Sequence, residues 1–409
     1  MKETKFKNTE IGRIPEEWET LYIHQITEIS TGATPSTNIN EYWENGTIRW
    51  MSSGELNNKI IYDVNGRITQ KGYDNTGTHM LPKNCVLIGL AGQGKTRGTA
   101  AYNKVELCTN QSIAAILPNS KYESKYLYFY IDSLYDKLRL LSAGDGGRGG
   151  LNKQILQNLE IAMPPLNEQH RIASALTSID NLISSLGKLI EKKKNIKQGA
   201  MQQLLTGKIR LKEFTEPWVY RKISEIATTS SGGTPSRSIP NYYYGDIKWF
   251  TTTELKDNYL YDSVEHITRE ALNNSSAKMF SANTILMAMY GATIGKLGVL
   301  KEPSTTNQAC CAIKCNDIVE IFLFYILLYN RKSIIENGCG AGQPNISQAI
   351  VNELSFLVPP CEKEQQAIAN ILSKMDNEIT ALEAKRAKYE AIKQGMMQQL
   401  LTGKIRLIS

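Results

Sequence analysis

The chain has 409 residues, 41% hydrophobic and 21% charged, which supports more than one core and excludes wholesale disorder. No apolar run approaches the ~20 residues needed to span a bilayer, and Met1-Lys-Glu-Thr-Lys-Phe-Lys7 has no apolar stretch behind its charges. A cytoplasmic location without a membrane partner is expected. A net charge of +7 permits an anionic partner, while seven cysteines without a Cys-x-x-Cys pair and four histidines without ligand spacing speak against a disulfide framework or a zinc site.

Residues 1–163 read as short β-like runs broken by Gly, Asn, Pro and Ser turns, with Cys85-Val-Leu-Ile-Gly as a typical strand. Around the turn containing Thr34 and Ser36 stand Tyr42, Trp43, Arg49, Ser52 and Ser53. A glycine hairpin carries Gln93, Lys95 and Arg97, and a glycine-rich run carries Arg148 and Lys153. Hydroxyls, amides, cations and aromatics on glycine loops are the types that reach base edges and phosphates, so these are candidate DNA contacts.

Pro164-Pro165 opens a long helix, and residues 164–207 are assigned to it and its exit. Its apolar positions Ile172, Leu176, Ile179, Ile183, Leu186 and Ile190 repeat every 3.5 residues. That period predicts a coiled-coil seam rather than a stripe lying on a globular core. Gly207 suits the left-handed position after the helix end.

Residues 208–358 then repeat the first region. The turn with Thr234, Ser236 and Arg237 is followed by Tyr242, Tyr243, Lys248, Thr251 and Thr252, and later loops offer Tyr290, Lys296, Gln343 and Asn345 as candidates. Residues 359–409 hold a second long helix and tail, with Ile368, Leu372, Met375, Ile379 and Leu382 as its seam. Residues 196–211 return as 392–407 with one difference in sixteen, Ala200 against Met396. Asn110-Gln111 matches Asn307-Gln308, Trp18 matches Trp218 and Glu55-Leu56 matches Glu254-Leu255. The tail from Gly403 and the head up to Trp18 together would make a second copy of the linker 207–218. The expected fold is therefore α+β: two tandem mixed α/β domains separated by two long helices pairing as an antiparallel coiled coil, pseudo-twofold and cyclic in plan.

Gly89-Leu-Ala-Gly-Gln-Gly-Lys-Thr96 fits the expression of a phosphate-binding loop, but that loop needs a helix directly after it. Arg97-Gly98 is a poor helix start, and Gly291-Ala-Thr-Ile-Gly-Lys-Leu297 lacks the metal-binding hydroxyl. A nucleotide-binding protein is the least favoured reading. No Ser/His/Asp order, acidic metal cluster or base-flipping motif stands out, so a non-catalytic chain is expected.

The repeated Gly-x-Thr-Pro-Ser turns, the Asn-Gln pairs, the helix starts at Glu168-Gln169 and Glu364-Gln365, and the Gln-Gln-Leu-Leu-Thr-Gly-Lys ends resemble the specificity subunits of type I restriction–modification systems over essentially the whole chain. The resemblance implies two target recognition domains, each reading one half of a split double-stranded DNA sequence, with the helices as spacer. It implies docking of two modification (methyltransferase) subunits and of restriction/motor subunits, with S-adenosylmethionine, ATP and magnesium acting in those partners and no cofactor here. An orphan DNA-binding scaffold, or the reader of a methylation-only system, is the alternative.

Overall fold

The computed structural model describes residues 4–92, 94–142, 150–338 and 345–408. The chain divides into two compact units, Met1–Gly187 with Ala384–Ser409, and Lys188–Glu383. Each long helix thus contributes one half to each unit.

The central strands of the first unit are β1 (Ile29–Thr31), β2 (Ile48–Met51), β3 (Ile60–Ile61), β4 (Arg67–Ile68), β5 (Val86–Gly89), β6 (Ala100–Asn103), β7 (Cys108–Thr109) and β8 (Ile113–Ile116). Five form a sheet in the order β1-β8-β5-β6-β3 and three a smaller one in the order β7-β2-β4. β5, β6 and β8 are buried at every position, as strands covered on both faces must be. The two-residue period sends Val86, Ile88, Ala114 and Ile116 into one core with helix α1 (Ser124–Ser133). It sends Leu87, Ala101, Ile113 and Ala115 into a second core with Met51 and Leu56. The strand Glu160–Met163 pairs antiparallel with Glu19–Tyr22 and closes the domain just before the long helix α2 (Leu166–Leu204).

The second unit repeats this plan with β9 (Ala227–Ser231), β10 (Ile247–Phe250), β11 (Asn258–Leu260), β12 (Glu265–Ile267), β13 (Ile285–Ala288), β14 (Leu297–Leu300), β15 (Thr305–Thr306) and β16 (Cys310–Cys315). The orders are β9-β16-β13-β14-β11 and β12-β10-β15. Helix α3 (Glu320–Tyr329) covers the larger sheet, and α4 (Glu362–Leu400) is the second long helix. Both long helices have 39 residues, ~60 Å at 1.5 Å per residue.

Within each unit the two helix segments run antiparallel. In the first, Asp180 pairs with Lys393 at 2.6 Å and Glu168 with Arg406 at 2.7 Å, so residue numbers fall along one segment as they rise along the other. In the second, Asp376 pairs with Lys197 at 2.5 Å and Glu364 with Arg210 at 2.7 Å.

Ile172, Leu176, Ile368 and Leu372 sit in the domain cores, where side chains of α1 and α3 join those of the other long helix, Leu400 in the first unit and Met201 and Leu204 in the second. The first turns of each long helix lie on a globular core, and Ala173 and Ala369 widen the apolar stripe there. Farther along, Ile179, Leu186, Ile190 and Ile379 are buried, while Ile183, Met375 and Leu382 are half-buried.

The ends of the chain close on one another inside the first unit. Glu168, buried at 2% exposure, accepts from the Trp18 indole at 3.0 Å and from Arg406 Nε and Nη2 at 2.7 and 2.8 Å. In the second unit the linker supplies the same set: Glu364 accepts from Arg210 at 2.7 and 2.8 Å and from Trp218 at 3.3 Å. This is the cyclic plan made physical. The neighbouring Gln169 donates to Pro164 O and accepts the Glu123 N–H, and Gln365 does the same with Pro359 O and Val319 N–H. The Glu-Gln pair therefore locks each helix start to its domain.

Gly207 and Gly403 both take φ +68°, the left-handed conformation expected after a helix end. An added Cβ finds nothing nearer than 3.5 Å at Gly207 but would lie 2.4 Å from Pro15 Cγ at Gly403. Gly207→Ala should therefore cost only the backbone strain of ~1–2 kcal/mol, and Gly403→Ala measurably more. Denaturant unfolding of the two variants checks this; equal losses would contradict it.

Candidate nucleic-acid interface

One end of each five-stranded sheet gathers the candidate loops. β1 ends at Thr31 opposite Ala114, and β5 ends at Gly89 opposite Ile113. The Thr-Pro-Ser loop after β1, the hairpin between β5 and β6 and the Asn110-Gln111 turn before β8 therefore emerge together. Leu90 N–H donates to Ser112 O at 2.8 Å, and Gly150 lies against Leu90 O, which brings in the segment leading to Lys153. In the second unit Ser231 faces Cys311 and Ala288 faces Cys310, which aligns the equivalent loops. Tyr290 bridges Asn345, and Ile346 N–H donates to Met289 O at 2.7 Å, adding the segment before Ser347. Thr34, Ser36, Lys95 and Arg97 thus lie on loops at this end of the first sheet, with Lys153 opening the short helix Lys153–Gln157, and Thr234, Ser236, Tyr290, Lys296 and Asn345 lie on loops at the matching end of the second. Gln93, Arg148 and Gln343 lie outside the described residues.

Glycine and indole set the shape of the Thr-Pro-Ser loops. A Cβ on Gly32 would sit 1.8 Å from Thr109 O, and one on Gly232 2.1 Å from Thr306 O, so only glycine lets the loop press onto the strand beneath. The Trp50 indole donates to Ala33 O at 3.0 Å, and the Trp249 indole to Gly233 O at 2.9 Å. Trp43 meets Trp50 edge-on and donates to Ser36 O; Tyr243 meets Trp249 edge-on and donates to Pro235 O at 2.7 Å. Trp43 and Tyr243, taken from sequence as DNA contacts, are spent on holding these loops. Tyr42 is half-buried, and Tyr242 is a core side chain packed with Trp249 and Ile267.

Other candidates are also engaged internally. Ser52 and Thr251 cap the short turns after them through Glu55 and Glu254, whose second carboxylate oxygens accept Asn65 N–H and Val264 N–H at 2.8 Å. Ser53 and Thr252 begin those turns and are half-buried. Arg49 pairs with Asp63, Lys248 with Glu302 and Lys296 with Asp257. Arg237 pairs with Glu265 and stacks 4.1 Å over Tyr243; its hydrogen bonds hold the Glu265 carboxyl below the usual carboxylate range. Arg97 donates to Ser142 Oγ at 3.3 Å. Lys95 and Lys153 are exposed and make no ion pair among the described residues. The sequence reading overlooked Gln111 and Gln308, exposed side chains that Thr34 and Thr234 contact directly. Their signal was the Asn-Gln match between the halves.

After Gly89-Leu-Ala-Gly-Gln-Gly-Lys-Thr96 the chain enters strand β6, where a phosphate loop would need a helix. Among the described residues no group of three or more His, Cys, Asp or Glu is placed to hold a metal. Burial pushes the thiols of Cys85, Cys310 and Cys311 up to about 12, too high for a nucleophile at neutral pH. No helix among the described residues is long and apolar enough to cross a membrane.

Fold and surface together define a duplicated recognition protein whose two units present equivalent loop ends with different side chains. The model of the type I restriction modification DNA specificity domain matches residues 15–198 and again 215–394. The chain therefore belongs to the type I restriction–modification DNA specificity family, as a specificity subunit carrying two copies of the domain. It is 28% identical to the MjaVIII type I restriction enzyme specificity subunit of Methanocaldococcus jannaschii, over 99% of this chain and 97% of that relative. It is 30% identical to the EcoR124I/EcoR124II specificity subunit of Escherichia coli over 42% of each chain. The crystal structure of the type I S subunit from M. genitalium shares the fold, with a TM-score of 0.64 at 16% identity over 97% of this chain and 98% of that one.

Proposed function

We propose that each unit reads one half of a bipartite, asymmetric double-stranded DNA target, and that α2 and α4 set the gap between the halves. Two modification subunits dock on the chain, and restriction/motor subunits join them. The observation that carries this reading is the pair of equivalent loop surfaces, one per unit, on a scaffold whose two helices each serve both units. The half-sites differ because the equivalent hairpins differ: Gly92-Gln-Gly-Lys-Thr-Arg-Gly98 in one unit against Gly291-Ala-Thr-Ile-Gly295 in the other. The chain itself transfers no methyl group and cuts no strand. S-adenosylmethionine, ATP and magnesium act in the partner subunits. The DNA contacts are made by Ser36, Lys95, Arg97 and Lys153 on one surface, and by Ser236, Tyr290 and Asn345 on the other.

The gap is testable by length. Four residues inserted at Gln203–Thr206 add at most ~6 Å of helix, and a base-pair step is ~3.4 Å. The preferred gap should lengthen by one or two base pairs while the bases read at each end stay the same. Methylation or gel-shift assays of the assembled complex on duplexes with graded gaps measure this. An insertion that altered half-site identity at the original gap would overturn the spacer role.

A further inference from the structure

The strongest unassigned feature of the loop ends is an exposed amide held in one orientation, present in both units. Asn110 N–H donates to Met51 O, and Ile113 N–H closes a turn onto Asn110 O at 3.3 Å, which places Gln111 at the turn's second position. The Thr34 hydroxyl donates to Gln111 Oε1 at 2.6 Å. In the second unit Asn307 N–H donates to Phe250 O, Cys310 N–H closes onto Asn307 O at 3.2 Å, and the Thr234 hydroxyl donates to Gln308 Oε1. Gln111 and Gln308 are exposed, and neither Nε2 donates to any described residue.

A glutamine free to rotate loses rotamer entropy on binding, whereas these two have their amide plane set beforehand by the hydroxyl. Each keeps two Nε2–H donors and one Oε1 lone pair for a partner. A donor and an acceptor side by side on one amide match the N7 and N6–H₂ of adenine in the major groove. Around this pair the units diverge, at Trp43 against Tyr243 and Arg49 against Lys248, but the pair itself is unchanged. An element common to both surfaces suits a base pair common to both half-sites.

We infer that Gln111 and Gln308 are specificity-determining residues, each reading the adenine of an A·T pair at the equivalent position of its half-site, with Thr34 and Thr234 as positioning residues. This rests on the reading of each loop end as a DNA interface. The test is selection of bound duplexes from a randomised pool by the full chain assembled with its modification subunits, followed by sequencing. The wild-type complex should return two blocks of fixed bases sharing one A·T position. Gln111→Leu should lower discrimination at that position of one block by about 10- to 100-fold, and Gln308→Leu at the same position of the other. Thr34→Val and Thr234→Val should weaken the same preference less, because the amide remains but is no longer held.

Gln111→Glu separates reading from stapling. The carboxylate still accepts from Thr34, so the loop keeps its bond, but it can only accept from the base and should move the preference from adenine toward cytosine, whose N4 donates. A Gln111→Glu complex that binds the unchanged sequence with unchanged preference would overturn the inference and leave the interface standing. A wild-type complex that selects no sequence would overturn the interface itself.

Discussion

Replacing Glu168 with alanine is expected to cost about 3–5 kcal/mol, the usual penalty for breaking a buried ion pair from one side. Glu168 receives the Trp18 indole, two nitrogens of Arg406 and the Leu407 N–H, and the Arg406 side chain is only 6% exposed. Without the carboxylate, that guanidinium keeps Glu17 as its remaining carboxylate partner, at the exposed rim. Glu364→Ala should cost less, because its partner Arg210 is 27% exposed and can rehydrate. Replacing Glu168 and Arg406 together with apolar residues of similar size should recover most of the loss. Urea unfolding followed by circular dichroism measures all three. A loss below ~1 kcal/mol for Glu168→Ala, in the range of an exposed pair, would show that the closure of tail on head contributes little.

Gly32→Ala and Gly232→Ala should have the largest effects on recognition. The added Cβ would lie 1.8 Å from Thr109 O in one case and 2.1 Å from Thr306 O in the other; both are backbone atoms that cannot swing aside. The loop must lift, which carries Thr34 away from Gln111 or Thr234 from Gln308 and breaks the indole bonds from Trp50 or Trp249. Overpacking of this kind costs ~1–3 kcal/mol in stability, so each unit should still fold. Several base contacts would be lost at once, and at ~1–3 kcal/mol per mismatched pair sequence-selective binding should fall at least ~100-fold. The loss should be confined to one half-site per variant. Titrating labelled duplexes altered in one half at a time reads this out; undiminished discrimination at both halves would contradict the loop's role.

The architecture was legible because duplication and helical period are properties of the chain itself. The near-identity of 196–211 with 392–407 announced two equivalent helix exits, and the two copies do equivalent jobs, Arg210 on Glu364 and Arg406 on Glu168. The seam was less legible. A 3.5-residue spacing looks the same whether Ile172 and Leu176 meet a partner helix or the face of a domain, and only the tertiary neighbours show that their core holds both. The surface was least legible of all. Aromatics beside a Thr-Pro-Ser turn have the composition of a base-reading loop, yet Trp43, Trp50, Tyr243 and Trp249 use their polar edges on loop carbonyls. Most candidate cations had partners distant in sequence, such as Glu302 for Lys248, and spacing alone cannot reveal those.

The most direct measurement of the central claim is exchange of one recognition domain. Residues 227–353 would be replaced with the corresponding segment of another family member, leaving α2, α4 and the first domain intact. The assembled complex would then be used to select duplexes from a randomised pool. One unit per half-site predicts that one block of fixed bases is replaced, while the other block and the gap between them are retained. Loss of both blocks together, or retention of both, would contradict it.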